Sequence, residues 1–223
     1  MNGKEENRLN LEDFPVFQAD DFSVFDVPDL DGRMQAIKSV IRPKLEKIGA
    51  QFAQQLSYDL HRPVYAHVAK HARRTVNPPK DTWVAFSENP RGYKQHPHFQ
   101  LGIWPTHVFV MFGVLYESPN KSAIVQRLEN HAETIIKHIP GDYFWMEDHT
   151  KPIYLPARDV HVEKFKDMAE KCKNRRQGDL LIGKKWSDEQ ILEMQAHQAL
   201  ASFQEVFQRL LSIYQLTTDI GNG

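Results

Sequence analysis

The chain has 223 residues, 41% apolar and 26% charged, the balance of a soluble globular protein rather than a disordered one. Its one cysteine, Cys172, excludes an internal disulfide and suits a reducing compartment. The net charge of −1 divides into an acidic first 31 residues (nine Asp/Glu and two Lys/Arg, −7) and a remainder at +6, too weakly basic for a nucleic-acid binder.

Residues 1–31 carry Phe14, Phe17, Phe22 and Phe25. Free tails rarely hold such rings, so this acidic segment is expected to dock on the body, with its first eight residues loose. The opening Met-Asn-Gly-Lys-Glu-Glu-Asn-Arg lacks the apolar core of a signal peptide. The longest apolar run, Val108 to Tyr116, falls far short of the roughly 20 residues a membrane helix needs. A cytoplasmic protein without membrane attachment is expected. Asp29-Leu-Asp31-Gly32 imitates a calcium loop, but the first and twelfth ligand positions fall on Val27 and Lys38. Asp29 or Asp31 reads better as a helix cap.

Met34, Ile37, Ile41, Leu45, Ile48, Phe52 and Leu56 recur at helical spacing. Pro43 interrupts them, so the helix either kinks there or restarts with Pro43 in its first turn. Pro63–Ala69 and Thr82–Ser87 read as strands, separated by a basic connection holding Arg73 and Arg74. The polar loop 88–97 leads into a hairpin, His98–Trp104 and His107–Tyr116. Ser118-Pro119 opens a helix marked by Ile124, Leu128, Ile135 and Ile139. Strands follow at Tyr143–Glu147 and Ile153–Ala157. A helix capped by Asp159 carries Val162, Phe165, Ala169 and Cys172. After a strand at Gly178–Trp186, Ser187 and Gln190 form a capping box for the longest helix, with a stripe from Leu192 to Tyr214. A coiled-coil seam on that helix is the alternative, and with it a homodimer. No repeat or linker divides the chain, so the expectation is one α+β domain over residues 1–223, with a largely antiparallel sheet.

Most catalytic motifs fail on inspection. Gly178-Asp-Leu-Leu-Ile-Gly183-Lys184-Lys185 lacks the Ser/Thr that ends a phosphate loop, and its middle reads as strand. Cys172 has basic neighbours that would activate a thiol, but it lies on an apolar stripe. The hairpin carries more. With a two-residue turn, Phe99, Leu101 and Ile103 face Phe112, Val110 and Val108, forming core. The opposite face pairs His98 with Gly113, Gln100 with Met111, Gly102 with Phe109 and Trp104 with His107. Pro105 is incompatible with the positive φ of the tight hairpin turns, which leaves a longer or bulged loop open.

A mixed face with space over its glycines resembles a small-ligand pocket. Arg91, Tyr93, Lys94, His96, His98, Gln100, Trp104 and His107 are the candidate binding residues. The arginines, joined by Arg73 and Arg74, favour a small anionic ligand. A histidine-based or metal-assisted enzyme at the same face is the alternative, although His96, His98 and His107 lack the carboxylate or cysteine of a usual zinc set. The blander alternative has helices covering both faces, with Gln100 and the histidines serving backbone groups.

The run from Arg91 to Tyr116, above all Tyr93-Lys-Gln-His-Pro-His-Phe-Gln-Leu-Gly-Ile-Trp, resembles the bacterial YktB family of uncharacterised proteins. So do Thr82-Trp-Val-Ala-Phe-Ser and Asp21-Phe-Ser-Val-Phe-Asp-Val-Pro-Asp-Leu-Asp-Gly-Arg-Met. The resemblance spans nearly the whole chain. It implies a small cytoplasmic α+β protein and brings no catalytic residue or cofactor with it.

Overall fold

The structure, a computed structural model, describes Leu9, Leu11 and residues 14–218. The expectation for the first eight residues lies outside that range. Phe14, Phe17, Phe22 and Phe25 are buried in the main core. Phe14 meets Phe52 edge-on at 6.3 Å and Phe203 at 6.2 Å. A short helix α1 (Ala19–Ser23) presents Asp21. Its fully buried carboxylate takes Lys44 Nζ at 2.6 Å and the amide of Gln18 at 2.6 Å. A charge this deep is tolerated because it is paired and hydrogen-bonded.

Helix α2 (Leu30–Ala36) begins at Asp29, whose side chain accepts from the Gly32 amide at 2.7 Å. It passes through a π-helical turn at Ile37–Ile41 into α3 (Arg42–Leu60), with Pro43 in the first turn of α3. Proline supplies no N–H and crowds the preceding turn. The wider π turn absorbs both defects without breaking the run. Ile37, Ile41, Leu45, Ile48, Phe52 and Leu56 are therefore all buried in phase, each contributing about 1.5–3 kcal/mol relative to exposure.

The strands are β1 (Tyr65–Val68), β2 (Thr82–Ser87), β3 (His98–Trp104), β4 (His107–Val114), β5 (Phe144–Met146), β6 (Leu155–Pro156) and β7 (Leu180–Ser187). They form one sheet in the order β1-β2-β3-β4-β7-β5-β6, antiparallel at every pairing. The hairpin keeps the expected register, Ile103 opposite Val108 and Trp104 opposite His107. Pro105 forces no longer loop. Among the described non-glycine residues only His61 and His71 have positive φ, so the Pro105-Thr106 turn is made with negative φ angles.

The helix after Ser118 divides at His131 into α4 (Lys121–Asn130) and α5 (Ala132–His138). Ile124, Leu128, Ile135 and Ile139 stay on one buried side across the break. Helix α6 (Val162–Asn174) starts after His161; Asp159 instead sits in a short 3-10 turn and caps nothing. The Ser187/Gln190 capping box is present, but it opens a five-residue helix, α7 (Asp188–Leu192). The long helix α8 (Ala196–Thr218) follows after a break. Its stripe, including Phe203, Val206, Phe207 and Leu210, is buried in the core of its own chain.

Two rows across the sheet define its sides. Phe86, Phe99, Phe112, Ile182 and Trp145 lie side by side, and this face joins the helices in one apolar cluster. The next row is Ala85, Gln100, Met111, Gly183 and Phe144, on the opposite face. There a separate cluster of Trp104, Phe109, Met111, Leu115, Phe144, Met146 and Leu181 contains no helical residue. The protein is thus an α+β fold with helices on one side of the sheet and loops on the other. No described helix is long and apolar enough to cross a membrane.

Candidate functional site

Three connections cover the second face. The β1–β2 connection lays His71 edge-on against Trp83, ring centroids 5.5 Å apart. The β2–β3 connection brings Tyr93, whose hydroxyl accepts from Trp83 Nε1 at 3.0 Å and whose ring lies 4.9 Å from that of His98. The β5–β6 connection brings Tyr154 onto Phe144 and His107. The alternative with helices on both faces does not describe the protein, yet the hairpin's polar residues are still buried: His98 at 0%, His107 at 4% and Gln100 at 5% exposure.

Their hydrogen bonds are largely internal. His98 Nδ1 lies 2.7 Å from the His96 carbonyl, an acceptor, so Nδ1 carries the proton. Nε2 is then the acceptor for Gln100 Nε2 at 2.8 Å. Burial, together with the positive charge of Lys94, holds the pKa of His98 down at about 4, so the ring is neutral. His107 is likewise pushed to about 4 by burial and Lys185, and its Nε2 meets the Tyr154 hydroxyl. His98 and His107 occupy opposite ends of the hairpin, roughly 20 Å apart along six residues of strand. They do not share one metal ion.

Arg91, Tyr93, Lys94 and His96 form a different part of the region. With Arg73, Asn89 and Glu117 they line an open groove of about 530 Å3. Asn89 shapes it: Oδ1 accepts from the Arg91 amide at 2.8 Å and Nδ2 lies 2.8 Å from His96 Nε2. Lys94 meets Glu117 at 3.4 Å. The wall of Tyr93 and Trp83 divides this groove from the buried face. Of the eight candidate residues, four therefore line the groove and His98 and Gln100 stand behind its wall. Trp104 and His107 lie at the far end.

Sequence reasoning passed over three further residues: Asp81, His149 and Asp179. Asp179 is 2% exposed and takes three hydrogen bonds. These come from the Tyr116 amide (2.8 Å), the His149 amide (3.0 Å) and His149 Nδ1 (2.7 Å). They fix the orientation of the imidazole. His149 and Asp81 share, with Gln100, Trp83 and Tyr154, a small cavity of about 10 Å3, enough for roughly one water. Burial raises the Asp81 carboxyl to about 7, against the opposing positive charges of Arg74, His149 and Lys94. Both aspartates immediately precede a strand, Thr82 or Leu180, at the alternation that points to the second face. That placement was the available signal.

Asp148, His149 and Asp179 bring potential metal-ligand atoms within 4.8 Å of one another. The His149–Asp179 separation of 2.7 Å is that of a hydrogen bond, whose proton a metal would have to replace. Cys172 is buried, and desolvation pushes its thiol up to about 12, so it is no nucleophile. Lys184 pairs with Asp142 at 2.8 Å from within β7, and Leu180–Ile182 is strand, which closes the phosphate-loop reading.

A family model described as "Domain of unknown function (DUF1054)" matches residues 17–214. A UPF0637 protein of Bacillus cereus strain B4264 is 44% identical over 201 residues, covering 90% of this chain and 97% of the relative. UPF0637 proteins of Bacillus mycoides and Bacillus cytotoxicus are 44% and 42% identical over the same shares. The chain belongs to the DUF1054 family, as its resemblance to YktB-like proteins implied.

Proposed function

We propose that this DUF1054 protein is a cytoplasmic protein that binds a small anionic molecule in the groove over the β2–β3 connection. One observation carries the reading. Arg73, Arg91, Lys94 and His96 converge on one open volume that holds a single carboxylate, Glu117. Among the described residues, neither the Arg73 nor the Arg91 guanidinium has a hydrogen bond or ion pair. Two such forks suit a carboxylate or phosphate gripped by paired N–H donors. The test is thermal denaturation with inorganic phosphate, pyrophosphate and citrate at low ionic strength. Stabilisation by at least one anion, absent from an Arg73→Ala/Arg91→Ala variant, supports the reading. No stabilisation, or equal stabilisation of the variant, overturns it.

A second reading rests on Asp81 and His149. A carboxylic acid titrating near 7 is populated in both forms at neutral pH, as a general acid or base requires. His149, oriented by Asp179, stands in the same cavity. These features favour proton transfer at the second face once the 147–154 loop opens to admit a substrate. Carboxyl-carbon NMR of the intact chain tests it through the resonance that disappears in Asp81→Asn. A midpoint near 7 supports proton-transfer competence, and one near 4 removes it.

A further inference from the structure

We propose that the anion of the groove is a phosphate monoester whose body, a short polyhydroxylated chain, lies in a second compartment beside the groove. This inference rests on the anion-groove reading and names the ligand class. The second compartment is an open volume of about 220 Å3 whose lining includes Glu88, Asn120, Tyr214 and Thr218. Asn89 and His96 line both volumes, which places the two side by side. At about 30 Å3 per water-sized group, the compartment takes roughly seven such groups, or about three to four carbons with their hydroxyls.

Charge in the groove selects the monoester. Glu117 balances Lys94 at 3.4 Å. That leaves the guanidinium charges of Arg73 and Arg91, both exposed, and together they match the dianion of a phosphate monoester at neutral pH. Where the compartments meet, Asn89 Oδ1 accepts from the Arg91 amide, so Nδ2 is the donor to His96 Nε2 at 2.8 Å. His96 Nδ1 then carries the proton. It has no hydrogen-bond partner among the described residues, which leaves it for the ester oxygen joining phosphate to body.

The second compartment selects the body. Among the described residues its lining is polar apart from Pro97 and the Tyr214 ring, and no lysine or arginine lines it. A hydrocarbon body gains little there, and a second phosphate would meet only the repulsion of Glu88. Tyr214 and Thr217 are buried, so contact falls to the solvent-reachable Glu88, Asn120 and Thr218. Glu88 Oε1 accepts from the Tyr214 hydroxyl at 2.9 Å, and Oε2 lies 3.5 Å from Arg62 Nη1. A carboxylate oxygen has a second lone pair, which a ligand hydroxyl can use. An ammonium body is disfavoured because Arg62 already balances that charge. Asn120 precedes α4 without capping it, and its amide has no hydrogen bond among the described residues. Its donor and acceptor are both left unmet, and a hydroxyl, which is donor and acceptor at once, satisfies either.

Titration calorimetry of the full chain at low salt tests the assignment with four probes: glycerol 3-phosphate, propyl phosphate, phosphoethanolamine and inorganic phosphate. The first three carry bodies of similar length, hydroxylated, apolar and cationic. The proposal expects glycerol 3-phosphate to bind at least fivefold more tightly than each of the others. Asn120→Ala should cut that preference about threefold or more while leaving the affinity for inorganic phosphate unchanged. The position is exposed and its side chain makes no bond that folding would miss. Equal affinity for all four probes, tighter binding of propyl phosphate or phosphoethanolamine, or an unaltered preference in Asn120→Ala overturns the hydroxylated body and leaves the anion groove standing. No binding of any probe overturns both. Sedimentation with phosphatidylglycerol vesicles, reversed by glycerol 3-phosphate, would overturn a free monoester in favour of a lipid headgroup; the proposal expects the protein to stay in the supernatant.

Discussion

Asp179→Ala is the most informative single change on the second face. The carboxylate holds the start of β7, the second residue after β4 and the 147–154 loop in one arrangement, through the amides of Tyr116 and His149 and the His149 imidazole. Hydrogen bonds to a charged acceptor are worth about 1.5–3 kcal/mol each, so three set an upper limit near 9 kcal/mol. Water reaches the half-buried His149 and the exposed Tyr116 once the side chain is gone, and recovers much of that. A net loss of about 3 kcal/mol is expected. At about 2–4 °C per kcal/mol for a chain of this size, Tm falls by about 6–12 °C. Asp179→Asn keeps one acceptor oxygen and loses about half as much. Thermal denaturation followed by circular dichroism gives the magnitude. Hydrogen exchange locates it, since the amides of Tyr116 and His149 lose protection while the α3 core amides do not. A change under 1 kcal/mol, or unaltered exchange at those two amides, would refute the role given to Asp179.

The remaining predictions concern pH, packing and reactivity. Folding lowers the pKa of His98 from 6.5 to about 4, so its stabilising contribution is present above pH 6.5 and lost as pH falls towards 4. At about 1.4 kcal/mol per unit the loss is about 3 kcal/mol, with a similar share from His107; urea denaturation at pH 7.5 and 4.5 measures it. Asp81 has the opposite sign: its folded pKa of about 7 lies above the ordinary 3.8, so its stability is present below 3.8 and lost as pH rises through 7. Asp81→Asn should therefore stabilise the protein at pH 8, by about 2 kcal/mol after allowing for partial solvent contact, with the gain vanishing near pH 4. Gly183→Ala should cost about 3 kcal/mol or more, because a Cβ there would lie 2.6 Å from Met111 Cβ and against the Val110 carbonyl, in a ladder with no slack. Native Cys172 should resist maleimide at pH 7.5 and react on unfolding, since its thiol is buried and raised to about 12.

Much of the frame was legible in the sequence because it depends on local periodicity. The hairpin register followed from side-chain alternation, and it tolerated Pro105 because the turn avoids positive φ. The stripe from Ile37 to Leu56 was legible, but the π turn that keeps it in phase past Pro43 was not. Helix boundaries failed at His131, Asp159 and Met194, none of which is a proline or glycine that would mark a break. The site was legible in part. The groove residues Arg91, Tyr93, Lys94 and His96 are neighbours in sequence as well as in space. Asp81, His149 and Asp179 are far apart in sequence, and only the folding of three loops over the sheet assembles them. Burial of His98 and Gln100 was equally hidden, since their partners are His96 and each other rather than a ligand.

Titration calorimetry of pyrophosphate into the intact protein, at low and at high salt, tests the central claim most directly. The account predicts saturable one-site binding that weakens steeply with salt and falls at least tenfold in Arg73→Ala/Arg91→Ala, with Tm unchanged in that variant. Absence of heat at low salt, or identical isotherms for the two proteins, would contradict it.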